Sequence, residues 1–335
     1  MIESDALGAS LAAFMELRGR RIVEACGTLW HSVDGGFFMS IPYQLSLDPE
    51  PGPLEHMLRS VPAMGVRFPS RTWLGLPSGV YLYRKKQYDL KCVHPKHRRR
   101  VIRGLERFQI REIEPGELLT QGLQLNRDTM ARQGRYDPEF GEERQWKRVV
   151  DATYQCPAVV PFGAFAGGRL GGCMITCCDS RCLHILYQAS RQEDLKDFPN
   201  HALTFSVTRR AAENPELDSV CYGCLSLVRT TGLHEYKLRF GYELIPHNSV
   251  IWLHPRLAPL LSSQVSLQLV RRLRGLCPRN QRLEQTEAVL RGARLSKHPP
   301  TSSDLRPPRE VVLSRPPHPL TPSPPVGGEG EHKFD

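Results

Sequence analysis

Two periodicities divide most of the chain into elements. Short runs of alternating or uniform apolar residues predict strands at Arg21–Val33, Gly36–Ile41, Met64–Phe68 and Val80–Tyr83, with Pro51–Ser60 as a short helix among them. His94–Phe108 has Val101, Leu105 and Phe108 at helical spacing, with Ile102 beside them and arginines elsewhere, which predicts an amphipathic helix with Pro95 in its first turn. Gln109–Ile113 then reads as a strand, and Pro115–Gln133 and Glu142–Cys156 as helices. Ala158–Thr176 predicts a hairpin turning at Gly167-Gly168. Cys182–Ala189 is a strand, and Pro199–Asn214 is a helix with Leu203, Val207 and Ala211 four residues apart. Asp218–Leu227 is a strand, and Gly232–Phe240 a short helix ended by Gly241. Tyr242–Leu253 closes the series as a strand.

Beyond Pro255 the pattern changes. Leu257–Leu276 and Gln281–Leu295 predict helices, the first interrupted at Ser262-Ser263. Residues 299–335 hold 10 prolines with hardly any apolar periodicity, so a disordered tail without assigned function is expected. The resulting division is a smaller N-terminal lobe (1–85), a main lobe (86–256), a helical segment (257–298) and the tail (299–335).

Composition narrows the class. With 335 residues, 40% hydrophobic and 24% charged, the chain is an ordinary globular protein. No apolar run is long enough for a spanning helix, and the N-terminus resembles neither a signal nor a transit peptide. A cytoplasmic protein is expected. The net charge is +10, of which Arg84–Arg111 supplies +9 from 11 basic and 2 acidic residues. One basic segment suggests a local anion site or a solvated helix face, not sequence-specific DNA binding. The ten cysteines include one CxxC, Cys221–Cys224, on a predicted strand where positions three apart face opposite ways. Buried thiols are therefore expected, with no metal site.

The order strand, Gly-Gly turn, strand, strand, helix, strand, helix, strand carries a resemblance. VVPFGAFAGGRLGGCMIT, the helix at Pro199, SVCYGCLSL and GLHEYKLRFGYELIP resemble the C-terminal half of a GNAT-fold acyltransferase, nearest to the FemAB-like branch with its BioF2-like acetyltransferase domains. The basic run HPKHRRRVIRGLERFQI fits the opening of that branch's catalytic domain. The resemblance implies an α/β (α+β) fold: a mixed, mostly antiparallel sheet flanked by helices. It also implies N-acyl or aminoacyl transfer from a thioester or ester donor, with acyl-CoA or aminoacyl-tRNA as co-substrate, to a small-molecule amine. No tightly bound cofactor is needed.

The same resemblance nominates residues. Lys237 occupies a slot that carries a tyrosine in ordinary GNAT enzymes, and in Fem-type transferases a lysine there is implicated at the reacting carbonyl or the substrate phosphates. Tyr236 adjoins it, and His201 is the histidine placed for proton transfer. Arg98, Arg99, Arg100, Asn200, Tyr222 and Arg229 are nominated for substrate binding, the arginines towards a phosphorylated substrate and Asn200 also as a helix cap. The glycine-rich loop that cradles the CoA diphosphate is absent from QASRQEDLKDFPNHALTF. Plainer readings stand beside these: Lys237 as a solvent-facing lysine, the basic run as a solvated face, and the whole as a degenerate ligand- or partner-binding fold. A working site requires an open V between the strands at Cys182–Ala189 and Asp218–Leu227, with Lys237 facing it.

Overall fold

The computed structural model describes residues 7–134, 136–227, 231–277 and 280–296, so Arg229 and the proline-rich tail lie outside the described residues. The strands are β1 (Ile22–Ala25), β2 (Thr28–Val33), β3 (Phe37–Ile41), β4 (Gly65–Ser70), β5 (Leu76–Tyr83), β6 (Gln109–Glu112), β7 (Val159–Ala166), β8 (Arg169–Asp179), β9 (Cys182–Ser190), β10 (Ser219–Cys224) and β11 (Glu243–Leu253). The helices are α1 (Ala9–Leu17), α2 (Pro51–Ser60), α3 (Pro95–Arg107), α4 (Pro115–Glu117), α5 (Leu123–Gln133), α6 (Pro138–Gly141), α7 (Glu143–Gln155), α8 (Pro199–Glu213), α9 (Thr231–Arg239), α10 (Ala258–Leu261), α11 (Gln264–Leu276) and α12 (Gln281–Leu295).

All strands join one 11-stranded sheet in the order β1-β2-β3-β4-β11-β5-β10-β9-β8-β7-β6. Neighbours are antiparallel except β3/β4 and β9/β10, which are parallel. The mixed, mostly antiparallel sheet flanked by helices that is expected from the sequence is thus present. Its order has a symmetry the sequence did not suggest. Strands β2-β3-β4-β11 on one side of the centre match β8-β9-β10-β5 on the other. Each set contains one parallel pair, bridged by α2 in the first and α8 in the second. The halves have exchanged a strand: β5 crosses to pair β10, and β11 crosses to pair β4.

Several elements differ from expectation for identifiable reasons. Arg21–Val33 is a hairpin, β1 and β2, because Cys26 (φ 53) and Gly27 (φ 68) turn the chain. Pro115–Gln133 is interrupted by a π-helical turn at Leu118–Gly122. Helix α1 has no polar stripe to mark it, since ASLAAFMEL is buried on most sides. Helix α3 buries His97, Val101 and Gly104, with Phe108 buried at its C-cap, and leaves Ile102 and Leu105 outside. The cause is Gly104: a Cβ there would lie 2.8 Å from the Phe198 carbonyl oxygen and 3.1 Å from Ala202, so α3 crosses α8 closely at that point. The break at Ser262-Ser263 is a cap, with Ser263 Oγ accepting from the Ser266 amide at 3.1 Å.

Helix α1 is fixed to the far half by one carboxylate. Asp179, at the end of β8 and 1% exposed, accepts from the amides of Gly8 (2.8 Å), Ser10 (3.0 Å) and Leu11 (3.4 Å). These are donors at a helix start that would otherwise be buried without partners. Asp179→Ala should therefore lower unfolding free energy by about 2 kcal/mol, read by urea denaturation. Asp151→Ala, which removes only an exposed pair with Lys147, should change it by less than about 0.5 kcal/mol.

Candidate active site

Strands β9 and β10 run side by side only from Ser219↔Cys182 to Cys221↔His184. Beyond that pair β9 continues to Ser190 and β10 to Cys224 without pairing each other. The V that the sequence reading requires is therefore open, with His184 and Cys221 at its apex. A bulge in β10 shapes one arm. Gly223 takes φ 68, and the β5 partners shift from Leu82 opposite Cys221 to Val80 opposite Cys224. The bulge puts both thiols on one face, contrary to the alternation expected of a regular strand. Both are free, burial raises their pKa values, and among the described residues no group of three or more His, Cys, Asp or Glu is placed to hold a metal ion.

On the α8 face the V is bridged by side chains. Tyr222 donates its hydroxyl proton to Gln188 Oε1 on β9. Gln188 Nε2 lies 3.3 Å from both the Asn200 carbonyl and Asn200 Oδ1. Tyr236 donates to the Asn200 carbonyl at 2.9 Å and lies 2.9 Å from Thr204 Oγ1. Asn200 does not cap α8: Phe198 is the N-cap and Pro199 the first residue, while the Asn200 amide reaches Ser190 Oγ at 3.1 Å. Three nominated residues, Asn200, Tyr222 and Tyr236, thus converge in one buried network. Burial holds the phenols of Tyr222, raised to about 12, and Tyr236 neutral at physiological pH.

Lys237 is not a solvent-facing lysine. It is 6% exposed, and its Nζ donates to the Tyr222 carbonyl at 2.5 Å, at the arm of the V. The rings of Tyr81 and Tyr222 lie 4.4 and 4.8 Å from Nζ. Among the described residues no carboxylate pairs with it, and burial pushes its pKa down to about 8. The peptide that it holds leads directly into Gly223.

The opposite face of the V opens on a cavity of about 360 Å³. Its floor is His184–Tyr187 of β9 with Gly223 and Cys224 of β10. Its walls are Phe14 and Met15 of α1 and Arg18 at its C-cap, with Met39, Tyr43 and Phe140. Arg18 is neutralised by Glu139 at 2.6 Å, and Phe140 stacks on Tyr187 at 4.3 Å. His184 is 1% exposed, neither of its ring nitrogens has a partner among the described residues, and burial pushes its pKa down to about 4. A neutral imidazole facing a cavity can accept a proton. His184 was missed at the sequence level because CLHILYQA reads as a plain buried strand.

The other nominated residues lie apart from the V. His201 packs in the helical layer, its ring 4.8 Å from His97, 5.2 Å from Tyr236 and 5.6 Å from Phe240. Burial lowers its pKa to about 3. Arg98 donates to the carbonyls of Val93 (2.8 Å) and Lys91 (3.2 Å), tying α3 to the preceding loop. Arg100 lies over the Phe198 ring at 5.5 Å, and Arg99 is exposed.

The depressed pKa of Lys237 has a consequence for stability. Between about pH 8 and the ordinary lysine value of 10.5, the unfolded chain binds the proton and the folded chain does not, so stability should rise with pH across this window. Below pH 8 the full cost of burying the charge is present. Lys237→Met should remove the rise, giving a flatter profile of unfolding free energy from pH 8 to 10, measured by chemical denaturation against wild type.

No protein-family model matches the chain, and no curated protein does. The fold has counterparts among solved structures. FemX aligns with a TM-score of 0.52 at 11% identity, covering 75% of this chain and 92% of its own. L-PGS from Bacillus licheniformis aligns at 0.48 and 15%, covering 82% and 98%. A GCN5-related N-acetyltransferase from Kribbella flavida aligns at 0.42 and 10%, covering 74% and 95%. On the first of these alignments, this chain shares its overall fold with FemX.

Proposed function

We propose that the V between β9 and β10 is the reaction centre of an N-acyl or aminoacyl transferase. The observation that carries the reading is the parting of the strands directly beyond His184, with the desolvated ammonium of Lys237 held at the opposite arm. In this reaction an amine attacks an ester or thioester carbonyl and negative charge gathers on its oxygen. Lys237 stands one peptide unit behind the Gly223 wall, where a low dielectric lets its charge act on that oxygen. The Tyr222 carbonyl takes one of its three ammonium donors. His184 removes the proton that the amine loses as the new C–N bond forms, and returns it to the departing oxygen or sulfur as the donor's C–O or C–S bond breaks. The Gln188–Tyr222–Asn200–Tyr236 network holds the arms apart, so Tyr236 is a positioning residue.

The start of α8 supports an ester donor over a CoA thioester. Pro199 has no amide proton, and the amides of His201 and Ala202 both donate to the Phe198 carbonyl, at 3.0 and 3.2 Å. Of the first-turn main-chain donors that would cradle a diphosphate, Pro199 supplies none and those of His201 and Ala202 are already occupied. The same observation favours a second reading, a fold that binds a ligand in the cavity without turnover.

The test is transfer from labelled aminoacyl-tRNA or acyl-CoA to a panel of small primary amines. Lys237→Met should lower turnover on the order of a hundredfold, with Lys237→Arg restoring it only in part. His184→Gln should lower it by about a hundredfold or more. Lys196→Met serves as the control. Equal turnover in Lys237→Met and the control would remove the electrostatic role. Ligand binding with no transfer by wild type would establish the second reading.

A further inference from the structure

We propose that α11 is a peripheral membrane-binding element that seats on an anionic lipid surface. Val265, Leu269, Leu273 and Leu276 follow at i, i+4, i+8 and i+11, so they share one side of the helix. They are 74%, 56%, 43% and 79% exposed, and Leu260 of the adjoining α10 is 66% exposed. The one buried side chain of α11, Leu267, lies on the opposite side. That opposite side is anchored: Arg271 and Arg274 hold Glu287 of α12 at 3.0 and 2.7 Å. The helix is thus fixed to the body of the protein with its apolar stripe turned outward.

Charge selects the occupant. Helix α11 contains no acidic residue, and Arg256–Ser296 carries eight arginines against two glutamates. Arg272 borders the stripe and forms no ion pair among the described residues. A second copy seated on this face would bring like charges together, whereas anionic headgroups would neutralise them while the leucines enter the acyl boundary. At about 20 Å long, α11 can lie in the interface but cannot cross it. The inference is independent of the reaction at the V.

The experiment is co-sedimentation of the full chain with vesicles of phosphatidylglycerol or of phosphatidylcholine. Binding to the anionic vesicles is expected, weakening as salt is raised, with little binding to the zwitterionic ones. Leu269→Asp/Leu273→Asp should cut partitioning at least tenfold with an unchanged circular dichroism spectrum, and Arg272→Glu should weaken it and reduce its salt dependence. Hydrogen exchange of wild type should show residues 265–276 protected by anionic vesicles, a readout that needs no variant. The proposal is overturned if anionic vesicles neither sediment the chain nor protect this helix. It is equally overturned if the double variant, folded, sediments like wild type. A third overturning result is light scattering that reveals a dimer dissociated by those same substitutions.

Discussion

The exchange of β5 and β11 is the constraint on which the rest of the molecule depends. Each half of the sheet ends at its parallel pair, and each needs one more strand to cover the edge beyond it. That strand comes from the other half. Strand β11 is hydrogen-bonded to β4 on one side and β5 on the other, and β5 in turn to β10. Pulling the halves apart would expose rows of main-chain donors and acceptors at the centre of the sheet. The two lobes read from the sequence therefore share a single sheet.

That union gives the V two unlike faces. On the α8 side, tyrosines, a glutamine and an asparagine bond one another across the gap and fill it. On the other side, α1 reaches over from the N-terminal half to form the cavity wall, held at its start by Asp179 of β8. A helix from one half and strands from the other enclose a space that neither half could close alone. The charged groups near it are treated differently. Arg18 meets a carboxylate, while among the described residues Lys237 has a carbonyl and two rings and no carboxylate. An ammonium desolvated without a counter-charge favours negative charge developing nearby.

Local pattern was legible where local forces decide. Helix α8, the β7–β8 hairpin, the end of α9 and the Ser263 break all follow from spacing, turn residues or caps in the immediate sequence. Lys237 was nominated because a lysine in its slot is unusual, and its burial follows from packing that the local sequence does not show. What escaped depends on distant partners. The facing of α3 is set by the space that Gly104 leaves for α8, not by its own leucines. The shared face of Cys221 and Cys224 arises from one left-handed glycine. His184 gains its meaning from where two strands separate, and α1 from a carboxylate more than 160 residues away. The strand exchange leaves no local signal, because a strand's composition does not name its neighbour.

The exchange also sets an order of events during synthesis. Strands β4 and β5 are made early, yet β10 and β11, which flank them, are made only after α8. Until then one edge of β4 and both edges of β5 lack the strands that will pair with them. Those edges can be closed correctly only by the chain's own later segments, so contacts of very long sequence separation must form before the sheet is whole. The nascent N-terminal half consequently passes through a stage in which it is exposed to mispairing with other chains.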